Sequence, residues 1–324
     1  MFEGYYGLTS LPFQLAPDSR FFFASRNHAR ALAHLTYGLS QGDGFLVVTG
    51  EVGAGKTTLI NHLMSTLDPD SYIAARVVTT QLSPSGLLRM ILAAFGVHTR
   101  AREKAGMLRA FEEYVRTGAA EGRRLLLIVD EVQNLPYSTL EELRMLSNLA
   151  TGCQTQFQTC LVGQPQFRNT LLTARAEPLR QRIFTSYHLG ELSGHEIGPY
   201  IEHRLRVASW EGDPSFDEGV FPCIHMHTDG IPRRINSLCS RLLLQAFLNE
   251  SHTVSANDVH QVADEWRAEI GTVRVAGNGV YAPSEPRPAP RSAGRLADLE
   301  QRLVEQEKLL KRTLQVLERS GGVH

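Results

Sequence analysis

The sequence predicts an α/β fold, a parallel sheet flanked by helices, followed by a small all-α domain and a C-terminal helix. Three observations carry this. Short apolar runs alternate with longer periodic stretches from Phe45 to Pro222, the pattern of parallel strands joined by covering helices. The segment Gly50-Glu51-Val52-Gly53-Ala54-Gly55-Lys56-Thr57-Thr58 stands between an apolar strand and a helix start, which is where such a glycine-rich loop has meaning. After Ser193 the strand signals fade and helical periodicity takes over.

In chain order, residues 1–40 mix aromatics and turns, with Pro12, Pro17 and Asp18 around Phe13 and Phe21-Phe22-Phe23. This segment is expected to pack on the core of the α/β domain; the aromatic run could instead stack on a base. Apolar residues at helical spacing from Ala29 to Leu39 predict a helix over about Arg26–Leu39. The α/β domain, 41–192, has strand candidates at Phe45–Thr49, Ile73–Val78, Leu125–Val129, Gln158–Val162 and a weaker Phe184–Leu189. Helices are expected to begin near Lys56, Pro84, Lys104, Ser138 and Pro165. The helical domain, 193–270, reads as Gly194–Ala208, a segment around Phe216–His227, Pro232–Asn249 and Ala256–Ile270, the last behind the polar start Ser255-Ala256-Asn257-Asp258. Residues 271–294, with Gly277, Gly279, Pro283, Pro286, Pro288 and Pro290, read as a flexible linker. Across 295–319, Leu296, Leu299, Leu303, Leu310, Leu314 and Leu317 recur among charges, the pattern of an amphipathic or coiled-coil helix that binds a partner or docks on its own protein.

The bulk numbers exclude several classes. A chain of 324 residues with 42% hydrophobic and 21% charged residues is an ordinary globular protein of more than one domain. No apolar run reaches the roughly 18 to 20 residues of a membrane span, and no secretory signal opens the chain, so the cytoplasm is the expected location. Cys153, Cys160, Cys223 and Cys239 show no C-x-x-C pairing and are expected to be buried and reduced. A net charge of -1 supplies no global attraction to nucleic acid.

Gly50 to Thr57 fits G-x-x-x-x-G-K-[ST]. Glycines at 50, 53 and 55 let the backbone aim N–H groups at phosphate oxygens, and the helix start adds its partial positive charge. Lys56 would reach the β- and γ-phosphates of ATP, Thr57 would ligate Mg²⁺ and Thr58 would contact the α-phosphate. The strand Leu125–Val129 ends in Asp130-Glu131, so two acids point into the crevice at the carboxyl end of the sheet. Asp130 suits Mg²⁺ held through water, and Glu131 suits polarising the attacking water.

Two arginine pairs, Arg180 with Arg182 and Arg233 with Arg234, are candidates to meet the charge of a transferring phosphoryl group, or are simply solvated surface. His225-x-His227 does not read as a metal site, because helical residues two apart do not share a face.

Together these residues resemble an AAA+ P-loop NTPase, and more narrowly the ExeA/GspA-type secretion ATPases. The resemblance rests on Tyr6-Gly7-Leu8 with Pro12-Phe13 and Pro17-Asp18, the Gly50–Thr58 loop, and Asp130-Glu131-Val132-Gln133-Asn134-Leu135. Val162-Gly163-Gln164-Pro165 and Gly230-Ile231-Pro232-Arg233-Arg234-Ile235-Asn236 complete it. It covers residues 1 to about 270, and within the group the chain is most similar to the ATPases of exosortase (XrtA)/PEP-CTERM loci. The resemblance implies that 193–270 is a lid domain and that Gln164 is sensor 1, where many AAA+ proteins carry Asn, Ser or Thr. It also implies that Arg182, with Arg180 in reserve, is a finger reaching a neighbour's nucleotide, and that Arg233 is sensor 2. A finger in trans implies a homo-oligomer, either a ring or a nucleotide-dependent dimer.

The expected function is an ATP hydrolase that supports export or assembly of exopolysaccharide or surface proteins. Relatives of this type continue into a transmembrane segment and a peptidoglycan-binding domain. This chain is instead expected to act from the cytoplasmic side, peripheral at the inner membrane through a membrane-associated partner held by the leucine-patterned helix. The competing reading is a DNA-binding transposition regulator of the TniB/TnsC type. It calls for a basic extension, whereas Arg295, Arg302, Lys308, Lys311, Arg312 and Arg319 are balanced by Asp298, Glu300, Glu305, Glu307 and Glu318.

Overall fold

A computed structural model describes residues 2–270 apart from 17, 43, 79–81, 102 and 153–156. The linker 271–294, the leucine-patterned helix 295–319 and Cys153 lie outside the described residues. The chain begins with α1 (Phe2–Tyr5) and α2 (Arg26–Gln41), then alternates strand and helix. That part runs β1 (Phe45–Gly50), α3 (Lys56–Thr66), β2 (Tyr72–Val78), α4 (Pro84–Ala94), α5 (Lys104–Ala120), β3 (Arg124–Asp130) and α6 (Tyr137–Gly152). It closes with β4 (Phe157–Gly163), α7 (Gln166–Leu172), the short α8 (Glu177–Arg180) and β5 (Ile183–Leu189). The helical domain holds α9 (Gly194–Val207), β6 (Ser215–Phe216), α10 (Val220–Thr228), α11 (Pro232–Leu248), β7 (Thr253–Val254) and α12 (Ala256–Ile270).

The five strands form one parallel sheet in the order β2-β3-β4-β1-β5. Successive side chains of a strand point to opposite faces, and the two faces feed separate cores. Val47, Leu125, Leu127, Val129 and Leu161 meet Leu87, Leu88, Ile91 and Phe111 of α4 and α5 on one side. Leu46, Val48, Leu126, Ile128 and Val162 meet Ala31, Leu35, Leu59 and Ile60 of α2 and α3 on the other. Strands buried on both faces are mostly apolar, which is why β1 and β3 were legible as apolar runs, while β4 also buries Gln158, whose Nε2 donates to the Gly38 carbonyl, and Thr159. β5 is an edge strand with alternating exposure, and its sequence signal is weaker accordingly.

Two expectations are corrected. Phe216 is not helical: with Ser215 it pairs in parallel with Thr253–Val254, and the helix begins only at Val220, behind the cap Gly219 at φ 95°. The N-terminal segment does not pack on the α/β core alone. Tyr6, Leu8 and Phe13 join the core of the helical domain with Ile197, Ile201, Leu238 and Leu242, while α2 lies on the sheet. Buried Arg204 of α9 secures this path, donating from Nε to the Pro12 carbonyl at 2.6 Å and from Nη2 to the Gln14 carbonyl at 3.3 Å.

Cys160, Cys223 and Cys239 are buried free thiols, as expected. No helix among the described residues is long and apolar enough to cross a membrane.

Candidate active site

β1 ends at Gly50, where a Cβ would lie 2.6 Å from the Leu189 carbonyl of β5, so only glycine lets the loop leave the sheet here. Gly53 and Gly55 follow with φ of 87° and 97°, a left-handed backbone that glycine adopts without strain. The chain then enters α3 at Lys56, where the cap Gly55 offers no side-chain hydrogen bond to the first turn, and Gly55, Lys56, Thr57 and Thr58 line the cleft. Lys56 is buried, and its Nζ donates to the Gly50 and Glu51 carbonyls at 2.8 and 2.9 Å. Burial pushes this ammonium below the usual lysine range, opposed by Glu131, Asp130 and Glu51.

Asp130 and Glu131 occupy the tip of β3. Asp130 Oδ1 accepts the Glu131 N–H at 2.9 Å, and Oδ2 accepts from Arg76 Nη2 at 2.5 Å. Arg76, from the neighbouring β2, also donates from Nη1 to Asn61 Oδ1 of α3 at 2.9 Å. Glu131 lies in the left-handed region at φ 55°, an uncommon conformation for a residue with a side chain. Its Oε2 accepts from Gln133 Nε2 at 2.5 Å and from Gln164 Nε2 at 3.3 Å. Gln133 Oε1 in turn accepts the Gln164 backbone N–H at 2.9 Å, so both carboxamides and the carboxylate form one network across the ends of β3 and β4.

The helical domain closes the other side. Arg233, in the first turn of α11, donates its backbone N–H to the Gly53 carbonyl at 3.1 Å, and a Cβ on Gly53 would overlap the Arg233 side chain. A cavity of ≈ 350 Å³ lies between the domains, within the usual size for a small-molecule site. Gly53, Gly55, Lys56, Thr57, Thr58 and Glu131 form its polar wall, Phe21, Phe22 and Phe23 its aromatic wall, and Tyr200, Arg204, Asn236 and Arg233 its far side. Beneath the loop, the buried ring of His28 contacts Ser25 Oγ through Nδ1 at 2.7 Å and lies under Gly55. Burial pushes this imidazole down to about 4, so it is neutral at neutral pH.

The structure thus brings together the loop, Lys56, Thr57, Thr58, Asp130, Glu131, Gln164 and Arg233. It does not bring Arg180 or Arg182 to them. The Arg182 carbonyl accepts the Phe45 N–H, at the start of β1, whereas the loop begins at that strand's other end, roughly 17 Å away. Arg182 Nη1 rests 3.3 Å from Ser147 Oγ, Arg180 is ion-paired with Glu177, and Arg234 with Asp229. Arg76, His28, Tyr200 and Arg204 went unread in the sequence, and Gln133 and Asn236 entered only as parts of the resemblance motifs, without a role. Only Arg76 and Gln133 left a signal there, a charge inside an apolar strand and an amide two residues past the acids.

The family model of an AAA domain matches residues 39–171. With the parallel sheet, the loop and the helical domain, this defines the chain as an AAA+ P-loop ATPase. It is related to the general secretion pathway A proteins: General secretion pathway protein A of Aeromonas hydrophila is 35% identical over 268 residues, 82% of this chain. The aligned region is 48% of that relative, so the chain spans about half its length. Among solved structures, Cdc6p of Pyrobaculum aerophilum superposes with a TM-score of 0.62 at 16% identity, covering 78% of this chain and 70% of that one. The ADP form of the Aeropyrum pernix ORC2 protein superposes with 0.56 at 18% identity, covering 78% and 72%. At such identities the likeness concerns the fold.

Proposed function

We propose that this ATPase couples Mg-ATP binding and hydrolysis to export or assembly of exopolysaccharide or surface proteins, working as a nucleotide-dependent oligomer docked on a membrane-associated partner at the cytoplasmic side. The observation that carries this reading is the 35% identity to General secretion pathway protein A, which extends over 268 residues and so beyond the matched AAA domain. The leucine pattern across 295–319 supplies the handle for the partner, and exosortase loci are the setting that the sequence resembles most.

In this reading the loop N–H groups and Lys56 bind the phosphates, Lys56 exchanging its carbonyl partners for phosphate oxygens. Thr57 and Asp130 are hard oxygen donors that suit Mg²⁺, Asp130 through water, at the tip of β3 where it already meets Glu131 N–H and Arg76. When bound, the ion supplies charge neutralisation on the phosphate oxygens. Glu131 orients the attacking water and takes its proton, with Gln133 and Gln164 holding the carboxylate in place. Arg233 senses the nucleotide from the helical domain, and Arg182 acts on the nucleotide of a neighbouring subunit.

Recovery of a membrane-bound partner from the native host by full-length protein, compared with Leu303→Asp/Leu310→Asp, tests the coupling. The double variant is expected to lose the partner while keeping its ATPase rate; equal recovery overturns the docking. A salt-sensitive, ATP-dependent shift of duplex DNA would favour the transposition-regulator reading instead.

A further inference from the structure

A second cluster of chemistry-bearing side chains lies in the helical domain, away from the nucleotide cleft. Cys223 and His227 stand four residues apart on α10 and therefore share a face. α12 packs against that face and brings His260 between them: Cys223 Sγ lies 3.2 Å from His260 Nε2, and His227 Nε2 lies 2.9 Å from His260 Nδ1. One ligand atom from each of the three residues falls within 4.8 Å of the others.

We propose that Cys223, His227 and His260 form a binding site for a zinc ion that joins α10 to α12. One thiolate and two imidazoles are the donors this borderline-soft ion prefers. With Zn–S near 2.3 Å and Zn–N near 2.0–2.1 Å, tetrahedral ligand atoms lie about 3.4–3.6 Å apart. The two short contacts fall on different nitrogens of His260, so its exposed ring turns to present one of them to the ion beside Cys223 Sγ and His227, and the fourth position is left to water. His225, two residues from His227, takes no part, since it projects from another face of the helix.

The protons balance as follows. Burial raises the Cys223 thiol above its ordinary range, so it enters as S–H; its S–H bond breaks, S–Zn forms, and one proton leaves to solvent. His227 Nδ1 now contacts Arg267 Nη2, which donates to it, and the ring hydrogen on Nε2 bridges to His260. Ligation through Nε2 shifts that hydrogen to Nδ1, and Arg267 turns to Asp264, with which it already pairs at 2.8 Å.

The test is a titration of tag-free, full-length protein with Co²⁺ as a spectroscopic stand-in, followed by Zn²⁺ competition against a chromophoric chelator. A thiolate-to-cobalt charge-transfer band with tetrahedral visible bands is expected at one equivalent, displaced by Zn²⁺. The band is expected to vanish in Cys223→Ser and His260→Gln and to persist in Cys153→Ser. Zinc affinity should fall at least about 100-fold in the first two, since even outer-shell changes cost roughly 10- to 100-fold. Absence of the charge-transfer band in the parent protein, its survival in Cys223→Ser, or unchanged zinc affinity in both variants overturns the site. His260 is exposed, so the loss in His260→Gln cannot be put down to an unfolded domain.

Discussion

Glu131 carries the most chemistry per atom in this molecule, and its surroundings say how it should respond to change. Its carboxylate accepts from two carboxamides, and its backbone is held in a left-handed conformation. Glu131→Gln should keep nucleotide binding and trap ATP, whereas Lys56→Ala should lose binding; filter-bound nucleotide measured beside phosphate release separates the two. Gln133→Ala should leave nucleotide affinity within about twofold and lower the hydrolysis rate by roughly 10- to 100-fold, the scale for removing a partner that orients a catalytic ligand. An unchanged rate would mean Gln164 alone suffices. His28 makes a different prediction. Its folded value near 4 lies below the ordinary 6.5, so the unfolded chain takes up its proton first as pH falls. The stability tied to the neutral ring is complete above about pH 6.5 and declines toward pH 4, by about 3 kcal/mol in total. Denaturant midpoints followed from pH 7 to 4 should show a shallower decline in His28→Gln.

Glu196 joins two elements at once, so its loss should be felt in both. It completes the start of α9 by accepting from Ser193, and its other oxygen accepts the Arg26 N–H at 2.7 Å, where α2 begins. Glu196→Ala should cost about 1–3 kcal/mol, read as a fall of the thermal midpoint, because a backbone N–H to a carboxylate is a charge-assisted bond. The same junction shows where sequence reading reached its limit. Strands buried on both faces announced themselves, and the loop and acids followed from local spacing. Arg76 meeting Asp130, Gln133 meeting Gln164 and His260 meeting Cys223 depend on which strands and helices become neighbours, which no local pattern records. Phe216 was read as helix because Ser215 and Phe216 form a strand only once Thr253–Val254 lies alongside. The N-terminal aromatics were legible as buried but not as belonging to the helical domain, since hydrophobicity names burial and not the partner.

Arg182 stands at the opposite end of the strands from its own loop, so any action on nucleotide must involve a second copy. That requirement predicts an ATPase rate that rises faster than linearly with protein concentration. It also predicts complementation: Lys56→Ala and Arg182→Ala should each be inactive alone, and their mixture should regain activity because each supplies what the other lacks. A linear rate and an inert mixture would place the finger elsewhere.

The hydrogen bond from Arg233 N–H to the Gly53 carbonyl has a mechanical meaning. It fastens the middle of the glycine loop to the end of a helix of 17 residues. A peptide rotation at Gly53 therefore cannot stay local: it either breaks this tie or drags the tip of α11. α11 carries Ile235, Leu238 and Leu242 into the core of the helical domain, so the loop is tied through one hydrogen bond to the element on which that domain is packed.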